Sequence, residues 1–232
     1  LVQNNELEEV TISKERKSLQ KSYMKTANVT TMSSKELLKA ACCNLAESFE
    51  TNPSIDVNFS DALTGTKQIK MLGLTSPYLV ITEENLPSVR GASQAYGLSF
   101  TPGTWVESIQ ITKGAGSVVN GFESISGQIN TELIKPVNDI PFFLNAYGST
   151  DSPFELNTHF NKKVSDKWST SLFLHGNARL GKNDMNDDGF LDNPLSKQIN
   201  VLNRWQYTDM EKGWVSFLNF RYMNDGKQTG EV

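Results

Sequence analysis

From Phe142 onward the chain alternates apolar and polar residues with period two. Phe142, Leu144, Ala146 and Gly148 interleave with Phe143, Asn145 and Tyr147. Phe154, Leu156, Thr158 and Phe160 interleave with Glu155, Asn157, His159 and Asn161. Leu172, Leu174, Gly176, Ala178 and Leu180 do so with Phe173, His175, Asn177 and Arg179. Val201, Trp205 and Tyr207 against Asn200, Arg204 and Gln206, then Leu218, Phe220 and Tyr222 against Asn219 and Arg221, complete the series. Successive side chains of a strand point to opposite faces, so these runs predict five antiparallel strands with one apolar and one polar face.

Two features favour a membrane barrel for these strands. They are longer than the five or six residues usual in soluble sheets. Their connections alternate between short (Ser165 to Lys167, Glu211 to Gly213) and long (Gly181 to Lys197), as tight periplasmic turns alternate with long external loops in outer-membrane barrels. Trp168, Trp205, Tyr207 and Trp214 lie near strand ends, where interfacial aromatic girdles belong. A soluble β-sandwich gives the same alternation with its apolar face turned inward, and it stands as the competing expectation.

Before Pro136 the pattern changes. Ser33 followed by Glu36 reads as a capping box opening a helix over 35–49, with Leu38, Cys42, Leu45 and Phe49 on one face. Short apolar runs follow at Ile55–Phe59, Gln68–Leu72, Pro77–Thr82, Val106–Thr112 and Gln128–Ile134, separated by Gly, Pro, Asn and Asp clusters. That mixture predicts a small α+β domain over 26–136, preceded by a polar segment over 1–25.

The most distinctive stretch joins the two halves: Ile109-Gln-Ile-Thr-Lys-Gly-Ala-Gly-Ser-Val-Val-Asn-Gly-Phe-Glu-Ser-Ile-Ser-Gly-Gln-Ile-Asn130. It reads as strand, glycine-punctuated turn, strand. Gly114, Gly116, Gly121 and Gly127 fall where the backbone must turn tightly or approach another element. Through Ile109, Ile111, Lys113, Gly114, Ser117, Gly121, Gly127, Ile129 and Asn130 the order resembles the plug domain of TonB-dependent outer-membrane receptors. Ala115, Asn120 and Ser126 depart from that family's usual proline, tyrosine and glycine. The resemblance implies an α+β plug followed by antiparallel transmembrane β-strands, the start of a barrel of twenty-two strands. Five strands cannot close a barrel, so residues 137–232 are expected to be its opening portion.

The resemblance carries further expectations. Leu7-Glu-Glu-Val-Thr-Ile12 is similar to the TonB box, an extended strand that pairs with TonB by β-augmentation, with Glu9, Val10, Thr11 and Ile12 as contacts. Thr11 stands where valine is usual, and 14–25 reads as a flexible tether. Ligand contact is implied at the plug apex, around Asp61 in Asp61–Gly65 and at Arg90, Gln94 and Tyr96 in Arg90–Gly97. For Arg90 an ion pair within the plug competes with ligand contact. The implied function is active uptake of a scarce solute, a metal chelate, cobalamin or similar, across the outer membrane of a Gram-negative bacterium, with TonB, membrane lipid and the ligand as partners.

Charge and chemistry prune the alternatives. A net charge of -4, with no basic stripe interleaved with aromatics, gives no ground for nucleic acid as a partner. No run of 18 apolar residues is present, which argues against a spanning helix but not against barrel strands. Adjacent Cys42 and Cys43 match no zinc or redox spacing, and Cys42 is expected to pack as a small hydrophobe. No G-x-S-x-G, H-E-x-x-H or C-x-x-C occurs, and Lys113-Gly-Ala-Gly lacks the order of a phosphate loop, so no enzymatic activity is expected. His159 and His175 fall on the polar face, where lumen polarity explains them.

One loop offers metal chemistry. Asp184, Asn186 and Asp188 occupy positions 1, 3 and 5 of an EF-hand-like loop, with Gly189 at 6, the Phe190 carbonyl at 7 and Asp192 at 9. Leu195 stands where the bidentate glutamate belongs, so a calcium site here and a plain acidic external loop are both open. No other cofactor is expected. A secreted, calcium-stabilised β-rich binding module without transport is the alternative function.

Overall fold

The computed structural model describes residues 19–22, 28–34, 45, 49, 55–61, 66–116, 121–148 and 154–231. The first half builds a six-stranded mixed sheet, ordered β1 (Leu19–Ser22), β2 (Asn28–Ser33), β7 (Val106–Lys113), β8 (Gly127–Leu133), β5 (Leu79–Glu83), β6 (Leu86–Val89). A separate hairpin joins β3 (Asp56–Asp61) to β4 (Thr66–Lys70). Among the described residues of this half only β5 and β8 run parallel; every other neighbouring pair is antiparallel.

The sheet forms where apolar β-branched residues can be covered. β5 reads Leu-Val-Ile-Thr and buries all four, as a strand inside a mixed sheet must. Ile81, Ile109, Ile111 and Ile129 pack in one core with Met32, Leu45, Phe49, Ile55, Ile69 and Met71. The helix expected over 35–49, Cys42 and Cys43 included, lies outside the described residues apart from Leu45 and Phe49. Both of these are buried, and the Leu45 amide donates to the Thr101 carbonyl at 3.2 Å.

Several boundaries differ from expectation for local reasons. Pro77 has no N–H to give a ladder, so Ser76–Tyr78 form a 3-10 turn and β5 starts after them. β4 stops at Lys70 because Leu72, at φ +53°, turns the chain back through a Met71–Leu74 bridge. β6 has no counterpart in the alternation pattern; it is a four-residue edge strand that carries Pro87. β1 falls inside the expected tether and pairs instead with β2, itself a polar Asn-Val-Thr-Thr-Met-Ser strand.

Within the Ile109–Asn130 stretch β7 and β8 pair antiparallel as expected, and 117–120 lie outside the described residues. Gly114 (φ +84°) and Gly121 (φ +145°) hold backbone angles that glycine adopts freely. Gly127 serves close approach: a Cβ there would overlap the Met71 sulfur and come 2.7 Å from the Thr112 carbonyl. The close contacts of Gly121 and Gly127 are with Arg90, Val80, Met71 and Thr112 of the first half.

The second half is a five-stranded antiparallel sheet in chain order: β9 (Phe142–Tyr147), β10 (Phe154–Lys163), β11 (Trp168–Arg179), β12 (Leu195–Asp209) and β13 (Trp214–Gln228). β12 and β13 reach 15 residues each, longer than the alternating runs. Ser, Lys, Gln and Asn at their ends blur the alternation while the ladder continues. One outward row runs Phe142, Phe160, Leu172, Asn203, Phe220 across the strands. Phe154, Leu156, Phe160, Leu172, Ile199, Leu218, Phe220 and Tyr222 are exposed, whereas Glu155, Asn157, His159, Ser171, His175, Asn200 and Arg204 are buried.

That polarity is the reverse of a soluble sandwich. The polar face meets the plug and the apolar face looks out, which is the arrangement that lipid requires. Trp168 packs on Trp205 and Tyr207, with ring centroids 6.3 and 5.1 Å apart, beside the short turns. No helix among the described residues is long and apolar enough to cross a membrane, which says nothing about crossing by strands.

Candidate ligand and coupling site

The sharpest local feature facing the wall is the turn between β5 and β6. Glu84 and Asn85 hold φ of +54° and +63°, a left-handed pair that asparagine tolerates well. Asn130, the last residue of the motif, fixes this turn. Its side-chain carbonyl accepts from the Asn85 amide and from Thr82 Oγ1, both at 2.8 Å. The Leu133 amide donates to Glu84 Oε1 at 2.9 Å, so the carboxylate is aimed before any wall residue reaches it.

The wall supplies the cations. Arg204 on β12, fully buried, donates from Nη1 to Glu84 Oε1 at 2.9 Å and lies 4.2 Å over the Phe217 ring. Arg221 on β13 pairs with Glu83 at 3.4 Å and donates to the Phe100 carbonyl and to Thr101 Oγ1. Thr101 Oγ1 in turn donates to Glu83 at 3.0 Å. Asn200 donates to the Phe100 carbonyl at 2.6 Å and Gln198 to the Ser99 carbonyl at 3.2 Å. Inward polar residues of β12 and β13 thus satisfy carbonyls of a plug segment that forms no ladder of its own.

Trp105 of the plug packs against Phe173 of β11, the ring centroids 5.6 Å apart and the planes tilted by 47°. The linker is tied by Asp139, which meets His159 Nε2 at 2.6 Å and Asn161 Nδ2 at 3.0 Å. His175 is buried among Asn157, Asn177 and Gln198. Both histidines are structural parts of the inward face. The sequence did not single out Glu83, Glu84, Arg204 and Arg221 as partners. The only signal was a carboxylate pair before an Asn at a turn, and arginines at polar-face positions.

The expected apical residues are distributed as follows. Arg90, Gln94 and Tyr96 share one stretch, with a 3-10 turn at Gly91–Ala95 lying against β4. Arg90 Nη2 donates to Glu123 Oε2 at 2.7 Å, so the plug ion pair is the arrangement found. Tyr96 is 40% exposed, and Lys227 Nζ stands 5.6 Å from its ring centroid, a wall cation over a plug aromatic. Asp61 ends β3 opposite Thr66; its side chain and the tip at 62–65 lie outside the described residues. So does the box-like segment with Glu9, Val10, Thr11 and Ile12.

The Arg90 hydrogen bond holds the Glu123 carboxyl below its ordinary 4.5. A depressed carboxylate contributes stability that is complete above its unfolded value and is lost as pH falls through the folded one. The stability difference between the native protein and Glu123→Gln is therefore expected to be flat above about pH 4.5 and to vanish only in stronger acid. Thermal unfolding across that range checks it, and a difference that fades near neutrality would refute the pair.

In the loop over 184–192, the carboxylates cap their own backbone. Asp184 accepts from the Gly189 amide at 2.9 Å, Asp188 from Phe190 at 2.9 Å and Asp192 from Met185 at 2.7 Å. Asn186 donates to Asp188 at 2.9 Å. Among the described residues no three His, Cys, Asp or Glu side chains converge as metal ligands.

Residues 22–128 match the family model of the TonB-dependent receptor plug domain. No curated protein sequence matches the chain. Among solved structures, the ferric-catecholate import receptor Fiu of E. coli K12 aligns with TM-score 0.64 at 16% identity, over 87% of this chain and 27% of that one. The pyoverdine-bound receptor FpvA of P. aeruginosa aligns with TM-score 0.72 at 12% identity, over 88% and 26%. The siderophore receptor PirA of Acinetobacter baumannii aligns with TM-score 0.64 at 17%, over 86% and 32%. The chain spans about a quarter to a third of the length of these structures. At such identities the structures speak for the fold alone, whereas the family match reaches the sequence itself. The chain therefore carries the plug domain of the TonB-dependent receptor family, followed by antiparallel strands laid out like the opening of that family's barrel.

Proposed function

We propose that the chain belongs to an outer-membrane receptor of a Gram-negative bacterium that imports a scarce solute, a metal chelate such as a ferric siderophore, with energy delivered by TonB. The observation that carries this is the inverted polarity of β9–β13: buried Asn, His, Ser and Arg against the plug, exposed Phe, Leu and Ile outward. Outward apolar strands belong in lipid, and a plug bound to their inner face by hydrogen bonds and ion pairs blocks the lumen that a solute must cross. Blocking requires a release step, and a periplasmic partner pulling on the N-terminal segment supplies it without ATP at that membrane. Similarity to the ferric-catecholate import receptor and to the pyoverdine-bound receptor favours an iron chelate over cobalamin.

Deleting Leu7 to Ile12 from the full-length receptor tests both halves. Accumulation of radiolabelled ferric siderophore is expected to fall to background, while binding of the same chelate to whole cells stays unchanged. Undiminished accumulation would remove the box assignment, and lost binding would remove its separation from the ligand site.

A further inference from the structure

β12 and β13 are longer than a membrane requires. A strand crosses the hydrocarbon in roughly 9–11 residues, whereas these run to 15 each, so their ladder continues past the apolar band. It stops at Leu195 opposite Gln228. Pro194 accounts for the stop, because proline has no N–H to give a ladder.

Beyond the interruption the pairing resumes. Phe190 lies opposite Glu231 in an antiparallel bridge, and the Leu191 amide donates to the Gly230 carbonyl at 2.9 Å. The two sites have the same sense and nearly the same register. Residues 191–194 separate them on one side and 229–230 on the other. The junction is therefore the β12–β13 ladder continued across a bulge-like break.

Both sides are shaped for it. Gly230 holds φ of +118°, an angle open to glycine and costly for any other residue. Opposite it, the loop is tied to itself before it reaches the junction. The Asp192 amide donates to the Asn183 carbonyl at 2.9 Å, closing the segment at its base. Within it, the amides of Met185, Gly189 and Phe190 are taken by Asp192, Asp184 and Asp188. A connection as long as 180–194 is commonly a working lid or a disordered tract. This one is bonded within and bonded at its tip.

We propose that the Phe190–Glu231 junction is a clasp that makes 180–194 and the segment after β13 one body, which stays fastened while solute passes. The proposal rests on the reading of this end as the external mouth of an importing receptor. A loop that is already ordered asks no further ordering entropy of an arriving ligand. It also cannot swing as a lid without breaking the bond between Leu191 and Gly230. Opening is then left to the plug.

The pairing supplies the test. The Leu191–Gly230 bond joins the residues flanking the pair, so Phe190 and Glu231 are a non-hydrogen-bonded pair, with Cα atoms about 4.5 Å apart. That spacing suits a disulfide. Phe190→Cys with Glu231→Cys is made in the full-length receptor, in a background of Cys42→Ala and Cys43→Ala. Mild oxidation is expected to remove both free thiols, which each single variant keeps. Accumulation of radiolabelled ferric siderophore should be equal in the oxidised and reduced forms. Heat-resistant electrophoretic migration confirms that each barrel is folded. A folded receptor whose two thiols stay free would overturn the clasp. So would uptake that stops on oxidation and returns with reductant.

Gly230→Ala loosens the joint through the backbone alone, because a Cβ there meets nothing within 4 Å. Cleavage of 180–194 by protease added to intact cells is expected to quicken about tenfold, as the strained angle raises the open population. Unchanged cleavage would show that the junction is not closed in the native receptor. Met185, 82% exposed in the same loop, reports orientation: Met185→Cys should react with an impermeant maleimide on intact cells. Labelling without disulfide formation sinks the clasp alone, whereas absent labelling sinks the external reading and the clasp's part in transport with it.

Discussion

Leu174→Lys is expected to block membrane assembly of the full-length receptor, or to lower its stability in lipid vesicles by about 2–4 kcal/mol. Leu174 sits in the outward row with Leu144, Thr158, Val201 and Tyr222. Val201 of that row stands four residues from Trp205 along β12, roughly 10–13 Å on a tilted strand, hence near the middle of an apolar band about 25 Å tall whose edge lies at that tryptophan. A lysine there loses its hydration without a partner, and its stem is too short to reach either interface easily. On a water-exposed sheet the same change would fall within about 0.5 kcal/mol and improve solubility. The experiment therefore separates the barrel from the soluble, calcium-stabilised module directly. Folding into vesicles, followed by heat-resistant migration, gives the readout, with Leu174→Ile as the packing control. Normal assembly of the lysine variant would show that the face does not meet lipid.

The barrel strands were the most legible part of the chain because period-two alternation survives without knowledge of any partner. One face of each strand is oily whatever lies behind the other. The plug was legible through Ile109–Asn130, where glycine spacing reflects backbone angles and close contacts that are local. β1, β2 and β6 were not, because Leu19–Ser22 and Asn28–Ser33 are largely polar and Leu86–Val89 holds a proline; their strand state comes from neighbours in the sheet. The residues that tie the two halves together were least legible. Glu84 and Arg204 are 120 positions apart, and nothing in either local sequence names the other. Their meeting depends on a turn held by Asn130 and on a strand register set far downstream. The apical residues fall between these cases. Arg90 was assignable to an ion pair in kind, but Glu123 as its partner follows only from the folded loop.

Arg204→Ala is expected to cost about 3 kcal/mol in the full-length receptor, near the lower end for breaking a buried ion pair because Glu84 keeps partial solvent access. The guanidinium itself is poorly served: Nε and Nη2 have no hydrogen-bond partner among the described residues, so its desolvation offsets much of the attraction to Glu84. Removing both charges together should then be far cheaper than removing one. Arg204→Met combined with Glu84→Gln is expected to recover most of the loss, giving a coupling energy of roughly 2 kcal/mol in the double-mutant cycle. After Glu84→Gln the side-chain amide oxygen can still accept from the Leu133 amide, and methionine at 204 keeps the contact with Phe217. If the pair only stabilised the fold, uptake would recover with stability. A pair that fastens the plug to the wall predicts otherwise: the double variant unfolds normally yet transports differently, because the force needed to free the β5–β6 turn has changed. Thermal unfolding and siderophore accumulation, measured on the same four proteins, decide between the two. Parallel recovery of both would reduce Glu84 and Arg204 to a packing contact, and recovery of stability alone would make them a fastening that transport must release.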